Sequence, residues 1–322
     1  MISVRILLAN YFPPVHYLRS RRNRRLRDEF GKVSDDLVTR IIVKNEPALI
    51  GRLGGTEARV ISCYLDIFRL QSILDPISTF YSIITMKKRL KQLKGGAGVY
   101  PTNRKTIEYF FKKQFEALTE IDLLGCWGFA FTWVEKFALS KGLQDICISH
   151  HSVAPWVEVF PENSICEIPW SKYLEGKKVL IVSSFTQSFK FQFERIHQVF
   201  PGKDMHNFVP VYLDAPNSMG GLNDDMDWAY HLKKMEKRIA LLDFDVALIS
   251  AGAYALPLAH FVKKMGKIGI SCGGDLQLFF GVIGARWEKE NKYLKFKNQY
   301  WIRPSESERP ANWREIEDGC YW

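Results

Sequence analysis

Six short runs, 48–53, 121–126, 145–149, 179–183, 246–250 and 268–271, are nearly continuous in apolar or β-branched residues. Strands covered on both faces read this way, whereas a strand with one wet face alternates. Between the runs fall stretches with helical spacing: 56–68, 104–118, 131–139, 189–200, 227–241 and 254–265. In 104–118 the spacing brings Ile107, Phe110, Phe111, Phe115 and Leu118 near one face. Strand, turn and helix repeated in this order leave few solutions. The expected fold class is α/β: a Rossmann-like, mostly parallel sheet flanked by helices.

With 322 residues the chain can bury a large core without a disulfide or metal staple. Its six cysteines form no CxxC pair, which predicts free thiols rather than a zinc site. No apolar run approaches the ~18 residues that span a bilayer. The expected location is cytoplasmic, peripheral on the inner membrane face.

The formal net charge of +10 is uneven. Arg19, Arg21, Arg22, Arg24, Arg25 and Arg27 crowd one segment, and Lys87, Lys88, Arg89, Lys91 and Lys94 another. Such clusters attract phosphates of nucleic acid or anionic lipid, or simply form solvated helix faces. Residues 1–40, with Pro13-Pro14 and the arginines, read as a basic N-terminal extension. Residues 41–322 read as a single domain. Its 210–227 stretch is a candidate mobile loop, and its aromatic-anchored tail from 304 to 322 is expected to dock.

Four strand ends carry candidate chemistry. After the first run, Gly51-Arg-Leu-Gly-Gly-Thr-Glu57 breaks into glycines where a helix begins. A helix N-terminus there suits phosphate, with Gly54, Gly55 and Thr56 close to the ligand. The alternative is a plain turn with Glu57 as a cap. Ser250-Ala-Gly252-Ala-Tyr254 and Ser271-Cys-Gly273-Gly274-Asp275 follow consecutive runs. They are expected side by side at the carboxyl edge of the sheet, with Asp275 as an N-cap. Neither matches GxGxxG, which argues against a nicotinamide cofactor. Ser183 and Ser184 offer hydroxyls to phosphate or sugar oxygens, or cap a helix.

A divalent ion, Mn2+ or Mg2+, would need carboxylates. Asp225-Met-Asp227 and Asp243-Phe-Asp245 both have the short aspartate-x-aspartate spacing. The second pair precedes a run and belongs at the opposite edge of the sheet, which leaves Asp225 and Asp227, with Glu57, as the candidate metal ligands. His150-His151 follows a run, where a structural role is the commoner one.

The segment Ile50-Gly-Arg-Leu-Gly-Gly-Thr-Glu57 resembles the arginine-aromatic-glycine-aspartate-glycine-glutamate turn of bacterial glycosyltransferases with the GT-D fold. Residues 244–254 and 273–287 also resemble that family, the latter through Gly273-Gly274, Gln277 and Arg286-Trp287. So do 176–182 and the closing Gly319-Cys-Tyr-Trp322. The resemblance covers roughly residues 45–322. It implies a Rossmann-like enzyme of cell-surface polysaccharide assembly that uses a nucleotide sugar. The family's aspartate-x-glutamate pair serves metal and donor binding; here Gly55 stands at the aspartate position and only Glu57 remains.

The resulting expectation is a glycosyltransferase, with a UDP-type nucleotide sugar as donor and a glycan or lipid-linked acceptor. Glu57 is the candidate catalytic base, Arg52 and Arg286 the candidate diphosphate partners, and Gln277 and Tyr254 further donor contacts. An anionic membrane surface is an expected partner and nucleic acid is not. The alternatives are a nucleic-acid-binding protein, which explains the charge but shows no recognition motif, and a catalytically inactive scaffold of the same fold.

Overall fold

The computed structural model describes residues 36–68, 76–126, 147–156, 169–218, 226–289 and 291–322. A first helix, α1, covers 36–44. Strand β1 (Ala48–Gly51) leads into α2 (Gly55–Phe68), then α3 (Pro76–Ala97), α4 (Arg104–Thr119), β2 (Leu123–Cys126) and β3 (Cys147–Ser149). The second half runs β4 (Lys178–Ser183), α5 (Thr186–Phe193), α6 (Ile196–Val199), β5 (Val209–Asp214), α7 (Trp228–Ile239), β6 (Val246–Ser250), α8 (Ala255–Lys264), β7 (Ile268–Ser271) and α9 (Asp275–Phe279).

All seven strands are parallel, in the order β3-β2-β1-β7-β6-β4-β5. The first half of the chain builds outward from β1 and the second half fills the other side. The two halves meet where β1 pairs with β7. Such a junction opens a crevice at the carboxyl ends of the strands.

Neighbouring residues within a strand serve opposite faces, as period two requires. Val179 and Ile181 join the core formed with α1, α5, α6 and the C-terminal segment, whereas Leu180 and Val182 join the core under α4, α7 and α8. Val246 and Leu248 divide from Ala247 and Ile249 in the same way. The near-continuous apolar strands of the sequence follow from this double burial. Each fully buried side chain of Leu or Val size contributes roughly 1.5–3 kcal/mol.

The helices show their reasons locally. Asn103 caps α4 by accepting from the Thr106 N–H at 2.9 Å, and Phe110, Phe111, Gln114, Ala117 and Leu118 form its buried stripe. α7 buries Trp228, His231, Leu232, Met235 and Ile239 at the same spacing.

Several expectations need correction. The stretch from 210 is not a loop at its start, because Val209–Asp214 is the edge strand β5. Its half-wet burial and Pro210 suit an edge position, where a missing N–H costs little. The helix expected over 189–200 starts earlier and divides into α5 and α6 around Glu194 and Arg195. α3 was not foreseen and carries the Lys87–Lys94 cluster. The body begins before residue 41, since Val38 and Ile42 of α1 are wholly buried in the core. The arginine cluster and the helix expected over 131–139 lie outside the described residues. Asp243 and Asp245 do sit at the amino edge of the sheet, bonded to the side chain and backbone N–H of Lys178.

The C-terminal tail packs against α5 and the core. The Glu308 carboxylate accepts from the backbone N–H groups of Gln187 (2.8 Å) and Ser188 (3.1 Å) at the start of α5, and from the Ser188 hydroxyl. A carboxylate placed on the free N–H groups of a helix is favoured by hydrogen bonding and dipole alike. Trp322 is buried in the core, and its carbonyl accepts from Arg303 at 2.6 Å. Among the described residues no helix is long and apolar enough to cross a membrane.

Candidate functional site

The turns after β1, β3, β4, β5, β6 and β7 surround one open cleft of about 620 Å³ at the carboxyl edge of the sheet. That volume falls within the usual range for small-molecule sites. Arg52, Gly54, Gly55, Thr56, Glu57, Ser184, Gly252, Gly273, Gly274, Gln277 and Arg286 all line it, so most of the sequence-derived site residues come together.

Arg52 is the fixed centre of this wall. One guanidinium nitrogen donates to the His150 carbonyl at 3.0 Å. The other donates to the Cys272 carbonyl at 2.9 Å and to the Asp275 carboxylate at 2.6 Å. The rigid, planar guanidinium fork bonds to two other turns at once from its own. Arg52 therefore holds the turns after β1, β3 and β7 together, and its charge is already matched by Asp275. Asp275 is not the expected N-cap: Gly274 holds that position, and Asp275 is the first residue of α9. Gly273 is required between them. Its φ is +64°, and a Cβ there would lie 2.9 Å from the Arg52 guanidinium.

Glu57 lies in the first turn of α2 and is only 6% exposed. Burial raises its pKa to about 7, offset by a hydrogen bond from its own backbone N–H and reinforced by the negative charge of Glu317. The side chain folds back over Gly54, where an added Cβ would meet its carboxylate oxygen at 2.3 Å.

Glu317 and Tyr321 come from the docked tail; neither was expected at the site, although Tyr321 belongs to the closing Gly319–Trp322 segment. Glu317 reaches Gly96 at the end of α3, within 3.0 Å of where a Cβ would stand. Its φ of 46° and that of Asp318, 57°, are left-handed, and Gly319 continues the turn at 70°. Consecutive non-glycine residues in this region store strain of the kind found at binding sites. The only sequence signal was the acidic pair ahead of Gly319, within a tail already expected to dock. Tyr321 is held by burial well above the ordinary phenol pKa and stays protonated.

Arg286 is an exposed cation of the site, hydrogen-bonded to Tyr321 and close to the charge of Glu317. Its guanidinium lies 5.0 Å from the Tyr321 ring centre and 5.4 Å from that of Trp287. Its backbone N–H donates to the Cys320 carbonyl at 3.0 Å, so the tail also fixes its position. Arg59 adds a second exposed cation at the rim. Gln277 donates to the Tyr321 carbonyl at 3.2 Å, while its own carbonyl oxygen is buried without a hydrogen bond. Both amide atoms of Asn217, another lining residue, are likewise unpaired. Both residues line the cleft, with these amide atoms buried in its wall.

Other expected residues stand apart. Ser183 is wholly buried, and its hydroxyl accepts from the Phe185 N–H at 3.2 Å, a turn role. Tyr254 stacks on Trp228 beneath the cleft, with ring centres 5.3 Å apart. Asp227 caps α7 by accepting from the Tyr230 N–H at 2.8 Å and does not line the cleft. Asp225 lies outside the described residues. His150 and His151 do line the cleft, with ring centres 3.7 Å apart.

A divalent ion would need a cluster of donors. Among the described residues no three His, Cys, Asp or Glu side chains gather into one. Of the cleft carboxylates, Asp275 is paired with Arg52 and Glu57 accepts from its own backbone N–H. The described donors therefore do not fit a metal site built on Glu57 and Asp227.

No family model, curated protein or solved structure matches this chain.

Proposed function

We propose that the chain is a glycosyltransferase of GT-D type that moves a sugar from a nucleotide donor, of UDP type, to a hydroxyl of a glycan or lipid-linked acceptor in cell-surface polysaccharide synthesis. The observation that carries this reading is Glu57, a buried carboxylate with a pKa of about 7 on the wall of a nucleotide-sized cleft. A general base works best when its pKa lies near the working pH. The resemblance of the Gly51–Glu57 and Gly273–Trp287 segments to that family supports the same reading.

In this mechanism the acceptor oxygen bonds to the anomeric carbon while the bond from that carbon to the diphosphate breaks. Glu57 takes the acceptor proton. The leaving diphosphate gathers negative charge, which Arg286 and Arg59 offset. Arg52, already paired, positions these turns and does not meet the phosphates directly. Asn217 and Gln277, which line the cleft, are donor-recognition residues.

The test is a panel of nucleotides and nucleotide sugars in a thermal-shift assay, followed by donor-hydrolysis measurements. Ligand at 100 times its Kd should add about 2.7 kcal/mol of stability. A nucleotide-selective shift with slow sugar release supports the proposal. No shift with any nucleotide removes it.

A further inference from the structure

α3 shows two different sides. Ser82, Leu93 and Ala97 are buried, and the helix packs against α2 on that side. The opposite side exposes Phe80 (67%), Ile83 (55%) and Ile84 (61%), three large apolar side chains within two turns. Lys87, Lys88 and Lys91 follow on the same side and are exposed too. At 100° per residue, positions 80, 83, 84, 87, 88 and 91 fall within about 140° of arc. The face is thus apolar at one end and cationic at the other. A soluble helix rarely exposes such a cluster without a partner for it.

We propose that this face of α3 docks on an anionic lipid surface. The charge order is what selects that occupant. Apolar side chains enter the boundary between headgroups and acyl chains, while lysines just beyond them meet anionic headgroups. The lysine end of the face leads toward the cleft, since Gly96 and Ala97 at the end of α3 line it. Docking therefore sets the cleft mouth beside the membrane surface. This inference stands on the helix face alone and survives whatever reaction the cleft performs.

The test is flotation of the full chain with vesicles of phosphatidylcholine alone and of phosphatidylcholine mixed with phosphatidylglycerol. The expected result is binding to the mixed vesicles only. K87E/K88E/K91E should weaken it by more than about tenfold, and the triple Lys→Arg variant should retain it. F80S/I84S should weaken it and leave a residue of binding that salt removes. These side chains are exposed, so circular dichroism melting should match the parent. Equal binding by the parent, K87E/K88E/K91E and F80S/I84S overturns the proposal, because the lipid contact then lies elsewhere. So does failure of the parent to float. A concentration-dependent dimer abolished by F80S/I84S, without lipid binding, overturns it in favour of a second copy of the chain.

Discussion

The Arg52 guanidinium lies 2.6 Å from the Asp275 carboxylate, with side chains only 7% and 14% exposed. The two residues are 223 positions apart, and their pairing joins the halves of the chain where β1 meets β7. The same guanidinium serves the His150 and Cys272 carbonyls. Removing it leaves a half-buried carboxylate and two carbonyls without their donor. Arg52→Ala should cost about 3 kcal/mol, in line with breaking other buried pairs. Asp275→Ala should cost less, because Arg52 keeps both carbonyls. Urea midpoints of the two single variants and the double variant measure the pair term. Strict additivity would show that the pair is not coupled.

Glu57 makes stability depend on pH with a sign opposite to most carboxylates. Its pKa is raised from 4.5 to about 7 in the folded chain, so the folded state holds the proton longer than the unfolded one. Stability from this group falls as pH rises from about 4.5 to about 7, by roughly 3 kcal/mol in all. Glu57→Gln should remove that dependence and be more stable than the parent at pH 8. Urea unfolding at pH 5 and pH 8 checks it, and a difference between the proteins that does not change with pH would refute the shift.

The same group should govern turnover. In the proposed transfer Glu57 acts as base when ionised, so rate should rise with pH through about 7. Glu57→Gln should lower turnover by about 100-fold or more. Glu317→Gln removes a negative neighbour that raises the Glu57 pKa, so it should move the rising limb to lower pH. A pH–rate profile unmoved in Glu317→Gln would separate the two carboxylates.

The parallel sheet was legible because strands buried on both faces write themselves as unbroken apolar runs, as in 179–183 and 246–250. β5 was not, because an edge strand with Pro210 and an exposed Val209 has no such run. Most of the cleft was legible because glycine turns at strand ends converge at one edge whenever the strands are parallel. The place of Arg52 beside the cleft was legible, but its pairing was not, because its partner Asp275 lies in the far half of the chain. Glu317 and Tyr321 were hidden for a related reason. They reach the cleft through tail docking, a tertiary event with no local periodicity.

That docking rests on Glu308, and it supports the last prediction. Its carboxylate takes two backbone N–H groups at the start of α5 and the Ser188 hydroxyl, and the Ser305 N–H closes the turn at 3.2 Å. An alanine leaves those donors without an acceptor in a buried setting. Glu308→Ala should cost about 2–3 kcal/mol. The loss should concentrate in the tail, because α5 keeps its packing through Phe189 against Phe280. Loosening the tail withdraws Tyr321 from Arg286 and Gln277, and Glu317 from Glu57. Glu308→Ala should therefore weaken ligand binding in the cleft although residue 308 does not line it. It should also raise hydrogen exchange at the Arg286 N–H, which bonds to the Cys320 carbonyl, ahead of the β6 and β7 amides. Equal protection at all three, with unchanged binding, would mean that the tail stays in place without its carboxylate anchor.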